Sequence, residues 1–160
     1  MRHSPTFLVE KLAELKVYVT EYLRSQYDDE GADLVRAFAD WKSMGPDGEY
    51  HHYYFGKDGE YARPLVNGKK VLRHVHFVPG NDSPYKPQWD KVWGRKGRKT
   101  SDDVVIYAQG APCYGTLLIA VIIEPQGHNF AEMQTQEDEA LMEGFASAAD
   151  QFIFDGSIIV

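Results

Sequence analysis

Two histidines stand one residue apart in KVLRHVHFV, residues 70–78: His74 and His76. In a strand, residues i and i+2 point to the same side, so both imidazoles would converge on one place. Imidazole accepts or donates a proton near neutral pH, which suits general acid–base chemistry. The competing view is a pair of surface histidines on a half-exposed strand. His128 lies in EPQGHN, just past an apolar run. Loops at strand ends are held by a rigid sheet and often carry catalytic groups, although a lone histidine in a turn equally suits plain surface. His51 and His52 precede Tyr53, Tyr54 and Phe55, a group that fits either core packing or the rim of a ligand site.

The histidine pair lies in a basic stretch. Residues 64–100 hold nine Lys or Arg (Lys69, Lys70, Arg73, Lys86, Lys91, Arg95, Lys96, Arg98 and Lys99) against two acids, Asp82 and Asp90. Residues 101–160 hold ten acids and no Lys or Arg, and the whole chain carries −7. The total disfavours a polyanionic partner. The local surplus favours one, because a concentrated patch sets the field that a phosphate backbone meets. Trp89, Trp93 and Tyr85 are interleaved with these cations, and aromatic rings stack on unpaired bases. Cleaving RNA takes positive charge on the scissile phosphate, a base for the 2′-hydroxyl and an acid for the leaving 5′-oxygen. The bland alternative is a solvated loop whose Trp89 and Trp93 cover the edge of the core.

The elements that would position these groups follow from periodicity. Leu8, Leu12 and Leu15 recur at helical spacing, so residues 6–15 read as a short amphipathic helix. Val17 and Val19 alternate with polar residues as in a strand; the alternative is continuation of the first helix through Tyr22. Asp28, Asp29 and Glu30 suit a helix N-terminus. Leu34, Val35, Phe38 and Trp41 then form an apolar stripe that Gly45-Pro46 ends. Residues 45–68 are turn-rich, 70–78 form a strand and 79–97 a Pro/Gly/Trp-rich loop. Residues 103–109 and 115–123 read as two strands joined by a turn at Gly110-Ala111-Pro112. A closing helix spans about 137–152, with Leu141, Phe145, Ala148 and Phe152 on one face. Two or three helices beside an antiparallel sheet of about four strands give a compact α+β domain.

At 160 residues, with 43% hydrophobic and 13% aromatic content, the chain can bury the core of one domain. Residues 1–15 read as an N-terminal extension and 16–160 as the domain. The longest apolar run, Leu117 to Ile123, suits a buried strand and is far too short to cross a bilayer. The N-terminus lacks the apolar stretch of a signal peptide, so no membrane partner is expected. Cys113 is the single cysteine and cannot form an internal disulfide, which favours a reducing cytoplasm. A metal reading also competes. Gly68 to His76 has the spacing G-x5-H-x-H, which resembles the first half of a cupin motif, and neutral imidazoles bind zinc or iron. Residues 77–81 hold no Glu, however, and His128 is not followed by the pattern a cupin needs.

Several segments, taken together, resemble the YafO family of bacterial toxin–antitoxin toxins, among the RelE/ParE-like ribonucleases. They are Tyr54-Phe55-Gly56-Lys57-Asp58, His74-Val75-His76, and Lys99-Thr100-Ser101-Asp102 leading into Val105-Ile106-Tyr107 and Gly110. Leu117-Leu118-Ile119-Ala120, Pro125 with His128, and the helix end Ala146 to Phe152 follow. Their order and spacing match over about residues 16–152. The position before Thr100 is often Arg in the family; here Lys99 loses bidentate phosphate geometry. The 79–97 loop also exceeds the usual length.

The resemblance implies a ribosome-dependent endoribonuclease that cuts mRNA, blocks translation and is neutralised by a cognate antitoxin, with ribosome and mRNA as its other partners and no cofactor. On that footing the expected catalytic set is His74, His76, Lys99, Asp102 and His128. Arg98 and Lys99 would hold the scissile phosphate, the histidines would supply base and acid, and Asp102 would orient a histidine or Lys99. Lys69, Lys70, Arg73, Lys91, Arg95, Lys96, Arg98, Trp89 and Trp93 would bind RNA. The acids of 101–160 would lie opposite the RNA face, and the antitoxin would cover the 64–100 surface. The rivals are a non-catalytic RNA- or protein-binding module and a cupin-like metal-binding protein.

Overall fold

A computed structural model describes residues 16–27, 30–123 and 130–159. The helix expected over 6–15, and His128, lie outside the described residues. Strands are β1 Val17–Val19, β2 Phe55–Glu60, β3 Leu65–Val66, β4 Lys69–Lys70, β5 Arg73–Phe77, β6 Val104–Gln109 and β7 Thr116–Ile122. Helices are α1 Glu21–Gln26, α2 Glu30–Ser43, α3 Gly48–His51, α4 Lys86–Gly94 and α5 Gln136–Asp155. Among the described residues, five strands form one sheet in the order β1-β7-β6-β5-β2, and β3 pairs with β4 as a separate hairpin. The α+β expectation holds. The sheet of about four strands foreseen has five, because β2 adds an edge strand beside β5; β1, expected as a strand, joins β7 in parallel.

The two central strands read VVIYAQ and TLLIAVI, rich in branched side chains and almost wholly buried. Both faces of the sheet are covered. On one, α5 sets Met142, Phe145, Ala146, Ala149 and Phe152 against Ile106, Ala108, Leu117 and Ile119. On the other, Leu23 of α1 and Phe38 and Trp41 of α2 pack on Val75, Val105, Tyr107, Leu118 and Val121. Thr20 caps α1 by accepting the Leu23 N–H at 3.1 Å, and its hydroxyl donates to the Ile119 carbonyl at 2.7 Å. The side chain thus ties helix start to sheet. Thr135 caps α5 by accepting the Asp138 N–H at 3.0 Å, and Glu137, Asp138 and Glu139 complement the positive end of that helix. No helix among the described residues is long and apolar enough to cross a membrane.

Four expectations change. The 79–97 segment contains α4, whose Trp89 is buried. The turn-rich 45–68 contains the edge strand β2, written FGKDGE, with no apolar alternation to reveal it. The strand expected over 70–78 is broken: Lys69–Lys70 belong to the β3–β4 hairpin, turned by Asn67 and Gly68 at φ 52° and 76°, and the main sheet resumes at Arg73. On α5, Leu141 is 38% exposed and Met142 takes the buried place.

Candidate active site

β5 fixes the site because its two faces carry different chemistry. Val75 is buried against α2, so Arg73 shares that side, while His74 and His76 face the α5 side opposite Ile106 and Val104 of β6. The pairing His74↔Gly59 puts a residue without a side chain across from the first imidazole. His74, His76, Tyr61, Ser101, Asp102, Val104 and Ala131 line a cavity of about 80 Å³. The expected pair therefore converges as its spacing implies, and Ser101 and Asp102 of the Lys99-Thr100-Ser101-Asp102 segment form a lip of the same cavity. His128 is not described, but Ala131, three residues on, belongs to the wall.

Backbone bonds set this lip. Ser101 Oγ donates to the Phe77 carbonyl at 2.7 Å, locking the loop to the end of β5. Lys57 N–H donates to the Lys99 carbonyl at 2.8 Å. A Cβ on Gly56 would overlap that carbonyl, so only glycine lets β2 approach so closely. His76 Nδ1 meets the Ser101 carbonyl closely and the Ser101 N–H at 3.1 Å. A ring nitrogen cannot donate and accept at once. We assign the proton to Nδ1, facing the carbonyl, which leaves the lone pair on Nε2. His74 stacks on Tyr61 with ring centroids 4.0 Å apart and planes 12° from parallel, and its buried Nδ1 has no hydrogen-bond partner among the described residues.

Electrostatics keep both imidazoles neutral. Burial, with a smaller push from His76, lowers the His74 pKa to about 4. Burial also lowers that of His76, partly offset by its bond to Ser101 and by Asp102; Lys57 and Arg98 push further down. The sign of the stability effect follows. Unfolded His74 takes a proton below about pH 6.5, whereas folded His74 resists until about 4. The unfolded state then binds more protons, so stability falls as pH drops from 6.5 to 4. Of the protons taken up on unfolding across that range, about one should belong to His74, and that share should be lost in denaturant titrations of His74→Phe.

The basic residues divide into three groups. Lys69 and Lys70 are exposed on the β3–β4 hairpin, and Lys91, Arg95, Lys96 and Arg98 are exposed along α4 and the turn after it. Arg98 donates to Glu49 at 2.7 Å and to the Asp58 carbonyl at 3.3 Å. Arg73 looks to the other sheet face: its guanidinium donates to Tyr107 Oη at 3.1 Å and Asp58 at 2.9 Å, so the position expected to meet RNA is taken up inside the protein. Lys99 is 0% exposed. Its ammonium lies 5.6 Å from the Trp89 ring and 5.2 Å from Trp93, donates to the Glu49 carbonyl at 3.1 Å, and has its pKa lowered to about 8 by burial. The side chain expected on the phosphate thus anchors α4 from within, and with Trp89 only 1% exposed that ring has no free face for a base. Trp93, half-buried, stays at the edge.

Of the acidic stretch, α5, with Glu137, Asp138, Glu139 and Glu143, covers the same sheet face as the histidines, and Asp102 is in the cleft wall. Tyr61 and Ser101 line the cleft and Lys57 acts on both imidazoles from nearby; none of the three was foreseen from the sequence. Lys57 and Ser101 stood inside matched segments, so the signal was present, whereas Tyr61 gave none. Among the described residues no three His, Cys, Asp or Glu gather as metal ligands, so the cupin-like alternative finds no third ligand there.

Neither the search of curated proteins nor that of solved structures gives a match. The family model described as Toxin YafO, type II toxin–antitoxin system, matches residues 39–154, which span β2 to α5 and every described wall of the cleft. With that much of its length matched, the chain belongs to the YafO family of type II toxin–antitoxin toxins, proteins whose partner is a cognate antitoxin.

Proposed function

We propose that this toxin is a RelE/ParE-like, ribosome-dependent endoribonuclease that cuts mRNA and so blocks translation until its antitoxin binds. The observation that carries the reading is the cleft itself: two neutral imidazoles and a carboxylate side by side, with Lys57 and Arg98 near enough to perturb His76. His76 Nε2 is the base for the 2′-hydroxyl, its proton-bearing Nδ1 held by Ser101 and the imidazolium that forms steadied by Asp102. Lys57 and Arg98 stabilise charge gathering on the phosphate. His74, stacked and desolvated, orients the approach and is the alternate base. The exposed cations on the hairpin and α4 guide the rest of the strand and are the expected docking face of the antitoxin.

The test is a cell-free translation reaction with an end-labelled message. Cleavage with a 2′,3′-cyclic phosphate on the upstream fragment supports the reading, and an intact message under full translation arrest sinks it. The basic surface has its own signature. Changing Lys91, Arg95 and Lys96 together to alanine should flatten the salt dependence of ribosome or RNA association by up to about 0.7 in log–log slope per lost phosphate contact. An unchanged slope would put the RNA path elsewhere.

A further inference from the structure

Among its described residues the cleft is equipped with bases and lacks an evident acid. Both described imidazoles are neutral at neutral pH, Lys99 is buried beneath α4, Arg98 is held by Glu49, and Lys57 is not part of the cavity wall. The leaving 5′-oxygen still needs a proton. Tyr61 is the remaining wall of the cavity that can give one.

Its placement follows from the backbone. Tyr61 N–H donates to the Leu72 carbonyl at 2.9 Å, extending the β2–β5 ladder by a residue and bringing the side chain to the His74 side. Gly59, across from His74, leaves the space over the imidazole clear, and Tyr61 fills it as a stacked ring. Among the described residues no hydrogen bond occupies the phenol. Burial raises its pKa well above the usual range, so the hydroxyl keeps its proton until a stronger base appears. A departing alkoxide, about as basic as hydroxide with water near pKa 15.7, is such a base.

We propose that Tyr61 is the general acid of RNA cleavage, giving its proton to the 5′-oxygen as it leaves. The assignment rests on the endoribonuclease reading above. The base takes the 2′-hydroxyl proton, the 2′-oxygen bonds to phosphorus, and the bond from phosphorus to the 5′-oxygen breaks with its electron pair passing to that oxygen. Tyr61 protonates it, giving a 2′,3′-cyclic phosphate and a 5′-hydroxyl. The tyrosinate then regains a proton from the imidazolium, directly or through water, and both groups are reset.

The experiment uses ribosomes programmed with a synthetic mRNA that carries, at the mapped cut, either the normal 5′-oxygen or a bridging 5′-sulfur. Tyr61→Phe keeps the ring over His74 and removes the hydroxyl. It should cut the oxygen mRNA about 10²- to 10⁴-fold more slowly than the unmodified protein. On the sulfur mRNA it should come within several-fold, because a thiolate, with a thiol pKa near 8.5, leaves without a proton. His76→Ala should stay slow on both. Tyr61→Phe cutting the oxygen mRNA at the unmodified rate, or staying equally slow on the sulfur mRNA, overturns the assignment. So does rescue by sulfur of His128→Gln in place of Tyr61→Phe. If the unmodified protein cuts neither mRNA, the endoribonuclease reading itself fails.

Discussion

Replacing His74 and His76 together by alanine should give a folded protein that no longer arrests growth. Neither side chain is part of the packed core, and removing His74 also removes a buried ring nitrogen without a partner among the described residues. Folding should therefore survive, as judged by unchanged circular dichroism and a cooperative melt. The chemistry should not. Loss of a general base typically slows a reaction about 10²- to 10⁴-fold. The two losses should not multiply, since both residues serve one proton transfer. His76→Ala alone should account for most of the effect, because Ser101 fixes its tautomer and turns the Nε2 lone pair to use. The pH profile offers an independent check. With both pKa values depressed, the acidic limb of the rate should fall below the ordinary histidine value of about 6.5, and the protein should stay active through mildly acidic conditions. Undiminished toxicity in the double variant would mean that positioning and positive charge alone cut the message, and that the cleft has been misread.

Asp58→Ala should cost about 3 kcal/mol of stability, the lower end of what breaking a buried charged pair removes. Asp58 is the hub of the opposite face. Its Oδ1 accepts from Tyr107 Oη at 2.5 Å and its Oδ2 from Arg73 at 2.9 Å, while its own N–H donates to Glu49 at 2.8 Å. The partners suffer most from its loss. Tyr107 is 0% exposed and would keep a hydroxyl beside an uncompensated guanidinium. Glu60, 3.9 Å from Arg73, is too far and too exposed to take over. For a chain of this size each kcal/mol shifts the melting temperature by roughly 2–4 °C, so a drop of about 10 °C is expected. The double change Asp58→Ala with Arg73→Met should be milder than Asp58→Ala alone, because it removes the stranded charge as well. A single-variant melt within 2 °C or so of the unmodified protein would show that the network carries little weight.

How much of this was legible in the residues differs from element to element. The strands β6 and β7 and the helices α2 and α5 could be read directly, because their branched or periodic apolar residues answer to burial on two faces or on one stripe. The H-x-H spacing by itself determined that two imidazoles would share a side, since the strand repeat of two is a local property. The segments from Tyr54 to Phe152 were enough to identify the family, which the family model matches over 39–154. What the residues could not state was which neighbour would claim each charge. Lys99 and Arg98 are adjacent in sequence, yet one ammonium is sealed between Trp89 and Trp93 while the other side chain stays at the surface. Arg73 was counted with the basic surface and was taken by Asp58 and Tyr107, 15 and 34 residues away in the chain. β2 and α4 escaped notice because an edge strand of glycines and charges, and a helix opened by proline, draw their stability from contacts made elsewhere. Tyr61 stands over His74 for the same reason: strand pairing brings them together, and pairing is a non-local choice made when the sheet forms.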